Sequence, residues 1–108
     1  MTEVDNELFM LIEAVRHSEI YKQYDRKRIA LNSDPELKKK VDVYRAENFR
    51  LQNSQDDGTL EERIEAFAQA NIELTEEPRA REFLDAELAL CRMLQEIVDR
   101  VVSGIDFE

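Results

Sequence analysis

An all-α fold is what this sequence predicts, and three observations carry the prediction. Only two glycines and two prolines occur in 108 residues, too few turn-formers for a sheet protein of this length. Apolar residues recur at alternating spacings of three and four, the period of one helix face. Charged residues make up 37% beside 43% hydrophobic, against roughly 25% charge in ordinary globular domains. That mixture fits helices with one apolar stripe and much solvated surface. The length suits a single domain over residues 1–108. The expected architecture is a four-helix antiparallel hairpin or bundle with long first and last helices, completed by dimerisation.

The first helix is expected over about 4–31. Val4, Leu8, Leu11 and Val15 make its stripe and Ile12 widens it; the stripe then shifts phase to Tyr21, Tyr24 and Leu31. The second helix follows over about 35–55, opened by Pro35 in its first turn and by a Ser33–Glu36 capping box. Asp56, Asp57 and Gly58 break the chain, with Gly58 suited to the left-handed conformation that closes many helices.

The third helix spans about 60–74 behind a second capping box, Thr59–Glu62, and Asn71 fills the polar gap in its row. Glu77-Pro78 either separates it from the fourth helix or only kinks a longer one. That fourth helix, about 78–103 with Gly104 as its cap, is the most apolar. It carries two adjacent rows, one through Leu84, Leu88, Cys91 and Val98, the other through Leu90, Leu94, Ile97 and Val101. Two rows need more than one neighbouring helix to cover them. Surplus apolar surface on the long helices therefore favours self-association.

The net charge of −10 argues against non-specific binding to nucleic acid or anionic membrane by the whole surface. The sequence has no basic, apolar signal-like start and no apolar run of the ~20 residues a membrane helix needs. A cytoplasmic location is the expectation. Cys91 is the only cysteine, so no disulfide forms within the chain. Its place in the main apolar row of the last helix predicts a buried, inert thiol.

Catalytic and metal signatures are absent from the sequence. His17 is the single histidine and shares a helix face with Glu13, four residues before it. A metal site needs further ligands at matching spacing, so a surface or partner-packing histidine is expected. Ser18 stands next to His17, but neighbours on a helix diverge, and no orienting acid is in evidence for a nucleophile. Close helix approach is the role expected of Ser18. The carboxylate pairs fall on polar faces, where solvated charge explains them. A carboxylate metalloenzyme assembled across a dimer would have to show stoichiometric metal in the purified protein.

One segment runs against the acidic balance. From Tyr21 to Ala46, Lys22, Arg26, Lys27, Arg28, Lys38, Lys39, Lys40 and Arg45 face only four acids. The hairpin of the first two helices gathers them at one end. Arg26 to Arg28 suit the C-terminus of the first helix, and Glu36 can pair with Lys40. The run Lys38 to Lys40 lies in the opening turns of a helix, where cations are unfavourable. Docking of an acidic protein or RNA is the functional alternative. Ser18, Tyr21 and Tyr24 with this basic end form the candidate partner-binding surface, although core packing with the hydroxyl at the rim also accounts for the tyrosines.

The chain resembles the YlbF/YmcA family of small helical bacterial regulators, which includes the YheA-type proteins. The resemblance lies in the run Ala14 to Tyr21, continuing through Tyr24 and Leu31, and in the polar break Asn32 to Glu36. It resumes at Glu77-Pro78, Phe83 to Glu87, and Leu94 to Ile97. It implies a non-enzymatic regulator or adaptor, forming homodimers or hetero-oligomers with related helical proteins. It further implies links to competence, sporulation and biofilm control, and to an RNA-processing protein partner. Some relatives bind iron–sulfur clusters through a cysteine-rich C-terminal tail. With only Cys91 here, no cofactor and no catalytic residue carries over. An RNA-associated module using the basic hairpin end is the alternative function, and the acidic balance weighs against direct nucleic-acid binding.

Overall fold

The computed structural model describes residues 2–106. They form α1 (Glu3–Arg16), α2 (Glu19–Asn32), α3 (Pro35–Gln52), α4 (Leu60–Ala70), α5 (Ile72–Glu76) and α6 (Pro78–Gly104). The all-helical expectation holds, with no strand among the described residues. The four expected segments become six because two of them are interrupted.

The first interruption falls at His17-Ser18. Ser18 is extended at ψ 151°, and its Oγ accepts the Tyr21 N–H at 3.1 Å while donating to the Val15 carbonyl at 2.6 Å. Ser18 thus caps a new helix, where close helix approach was expected of it. The phase shift of the apolar stripe is the trace of this break. The second falls at Asn71 (φ −110°, ψ 13°), whose side-chain amide donates to the Phe67 carbonyl at 2.8 Å and ends α4.

The expected capping boxes do not form. Asp34, extended at ψ 90°, caps α3 by accepting the Leu37 N–H at 3.2 Å. The Ser33 hydroxyl instead donates back to the Ala30 carbonyl at 2.6 Å. Pro35 dictates this: with proline at the first helical position, the residue before it is the cap. Thr59 makes no cap bond; its hydroxyl donates to Asp57 Oδ1 and accepts from Arg63 Nε at 3.2 Å. Gly58 is left-handed as expected, φ +93°, but it sits in the Asp56–Thr59 turn, past the end of α3 at Gln52. Pro78 marks a true break, since Glu77 is extended (φ −62°, ψ 126°) and its carboxylate accepts the Ala80 N–H at 2.9 Å. At the far end α6 runs through Gly104, and Ile105 takes the cap position expected of that glycine.

Lys27 reaches Glu82 and the Tyr24 ring lies 5.8 Å from that of Phe83, while Tyr21 and Leu90 line one groove further along. The two helices α2 and α6 are therefore antiparallel. The core sits where they meet the start of α3. Its buried members are Leu31, Leu37, Val41, Ala80 and Phe83, with Tyr24, Leu74 and Leu84 packed against them. It is small for the chain. The radius of gyration is 17.4 Å, with extents of 48 × 40 × 20 Å, whereas a compact chain of this length has about 13 Å. Beyond this junction the helices splay and leave apolar sides open.

Candidate functional site

The most open apolar surface lies on α1 and the outer half of α6. Not one residue of α1 is buried, although Val4, Leu8, Phe9, Met10, Leu11 and Ile12 fall within it. Val4 is 76% exposed and Phe9 60%; on α6 Val98 is 54% exposed. Leu8, Leu11, Ile12 and Val15 of α1 and Leu90, Leu94 and Ile97 of α6 line a groove of about 330 Å³, with Tyr21 of α2 also in its lining. An apolar patch of this extent on a small chain marks a contact surface or a liability.

The first-helix stripe and both rows of the last helix were read correctly as apolar, but only the inner part of each is covered. Cys91 is the clearest correction. It was expected to be buried and is exposed. It lies on the outer row of α6 beside Glu87, across an open cleft from Asn48 and Phe49 of α3. Among the described residues α3 stands off from that side of α6 across the cleft.

The candidate residues divide between two places. Ser18 is spent on capping, Tyr21 lines the apolar groove, and Tyr24 packs on Phe83 at the core. The tyrosines thus take a largely structural position, with Tyr21 also bordering the open face. The basic residues sit at the opposite end, around the α2–α3 turn, and many are paired. Arg26 meets Glu19 at 3.6 Å, Lys27 meets Glu82 at 3.2 Å, and Lys38 meets Asp42 at 2.7 Å. Arg28 pairs with Asp25, whose charge holds the guanidinium above its ordinary pKa. Burial pulls Arg45 down, but bonds to Glu87 and the charge of Asp42 outweigh it and leave the net shift upward.

These pairs correct the expected electrostatics. Arg26 to Arg28 do not serve the last turn of α2, which holds no basic residue. Lys38 takes Asp42 as its partner in the neighbourhood where Glu36–Lys40 was expected, a pair not found among the described residues. Lys39 and Lys40 enter no ion pair among the described residues and line a groove with Val43, Tyr44, Glu47, Asn71 and Leu74.

His17 is exposed at the C-terminus of α1, 3.6 Å from Glu13. Among the described residues no group of three or more His, Cys, Asp or Glu is placed to hold a metal ion. No helix among them is long and apolar enough to cross a membrane. Sequence reading missed Asp5, Phe9 and Arg16 as surface features. Their signal was present in the spacing of four, three and four that joins Asp5, Phe9, Ile12 and Arg16.

Fold and surface together define an all-helical protein with a small core at one junction and an unpartnered apolar arm. The family model for control of competence regulator ComK, YlbF/YmcA, matches residues 4–106, and the chain belongs to that family. Its role is accordingly a regulatory one. No curated protein and no solved structure matches the chain significantly.

Proposed function

We propose that this regulator is a non-enzymatic adaptor that acts through helix–helix contact with protein partners. The observation that carries the reading is α1: a helix rich in large apolar residues with none of them buried. Covering such a side chain is worth about 1.5–3 kcal/mol, so the surface gains by finding a partner. Related helical chains in a homodimer or hetero-oligomer fit it best. The paired, basic α2–α3 end, with Lys39 and Lys40 uncommitted, is the second surface, suited to an acidic protein such as a component of RNA processing. With most of its cations neutralised by neighbouring carboxylates, that end supports a protein partner over direct RNA binding.

Affinity purification from the native cell tests this, with mass spectrometry of the retained proteins and nuclease treatment in parallel. The full chain retains a discrete set of proteins that survives nuclease. Val98→Glu removes those held by the apolar face, and Lys38→Glu/Lys39→Glu/Lys40→Glu removes those held by the basic end. Identical retained sets from all three forms would overturn the proposal.

A further inference from the structure

The open side of α1 carries a pattern that reads alike from both ends. Asp5, Phe9, Ile12 and Arg16 follow one another at spacings of four, three and four. At 3.6 residues per turn they fall within about 60° of one another on the helix. Along about 16 Å they present an anion, two apolar side chains and a cation. All four are exposed, Ile12 by 47% and the Arg16 side chain by 63%.

We infer that this stripe is a self-recognition site on which a second copy of the chain docks, α1 against α1 and antiparallel. The proposal rests on the reading of the α1–α6 face as a contact surface and names its occupant. A crossing midway between Phe9 and Ile12 sets each Phe9 against Ile12 of the other copy. The same crossing sets each Asp5 opposite Arg16 of the other copy, so the two-fold axis makes every contact twice. A parallel docking would put acid on acid and base on base, which costs affinity.

The charged ends are available for this. Asp5 uses Oδ2 to accept the Thr2 N–H at 3.1 Å, and its Oδ1 has no hydrogen bond among the described residues. Among the described residues Arg16 has one ion pair, with half-buried Glu13 of its own helix at 3.6 Å. Ile12 and Arg16 also border the apolar groove against Leu94, so a docked copy covers the mouth of that groove. A stripe that complements itself in charge and in apolar surface fits a second copy better than an unlike chain.

Sedimentation equilibrium of the full chain at micromolar concentration tests the inference. The expected mass is twice the 12.7 kDa of one chain. Phe9→Glu returns it to that of one chain, with most of the helical circular dichroism retained, because α2 to α6 and the core do not depend on Phe9. Asp5→Arg and Arg16→Asp each raise the dissociation constant about tenfold or more by setting like charges face to face. The double variant Asp5→Arg/Arg16→Asp restores it to within about threefold of the original. If these residues served only their own helix ends, the double variant would be the weakest of the three, and that result would overturn the inference. A one-chain mass at every concentration would overturn it too. A solitary chain that still binds an unlike helical protein through the Val98 face leaves the adaptor reading standing; one that binds nothing removes both.

Discussion

Arg79 Nη2 in the first turn of α6 donates to Asp34 Oδ2 at 2.9 Å, across 45 residues of chain. The other carboxylate oxygen accepts the Leu37 N–H and caps α3. One side chain thus starts a helix and ties it to the start of another, at the edge of the small core.

This double use makes a pH prediction. The Leu37 N–H first, and Arg79 after it, hold the Asp34 carboxyl below its usual 3.8. Between that unfolded value and the lower folded one, the unfolded chain binds more protons. The stabilisation is therefore complete above the unfolded value and is lost as pH falls through the folded one. Asp34→Asn keeps a good cap but cannot titrate. Its denaturation midpoint should fall less steeply on acidification from about pH 5 to 2 than that of the unaltered chain.

Phe83 is the heart of the core, 3% exposed, with the Tyr24 ring against it and the Arg45 guanidinium 5.5 Å above its centroid. Phe83→Ala should cost about 3–5 kcal/mol, a large part of the whole stability of a small domain. Val98→Ala, on the open face, should change the single chain by less than about 0.5 kcal/mol. Urea titration of both at low protein concentration measures the contrast.

Ser18→Ala removes the cap of α2 and should cost about 1 kcal/mol. The loss should be local. Amide exchange should quicken around Tyr21, whose N–H loses its partner, and stay unchanged near Val41.

The Cys91 thiol should react with a water-soluble disulfide reagent in the native chain at a rate close to that of the denatured chain. Burial among apolar neighbours would slow it severely.

Much of the fold was legible because helix starts are written in single residues. Pro35 and Pro78 both stand at first helical positions, as their missing N–H predicts. The break at Ser18 was visible only as a change of phase between Val15 and Tyr21, since serine both interrupts and tolerates a helix. The cap of α3 was misplaced by one residue because Ser33 and Asp34 are both good caps; the following proline decides between them. Burial was the least legible property. Periodicity shows which side of α6 is apolar, but whether a helix lies over Cys91 depends on where α3 diverges. No residue pattern within α6 records that angle. The stripe on α1 was hidden because sequence reading looked for the apolar row that faces inward, and Asp5 and Arg16 do not belong to it.

On the proposed docking, α1 owes its stability to what covers it from outside the chain. Amide exchange across residues 4–16, followed as protein concentration rises, tests this most directly. Protection of α1 should grow with concentration while the amides around Val41 and Phe83 stay as they are. Exchange in α1 that is already as slow as in the core at high dilution, and indifferent to concentration, would contradict the account.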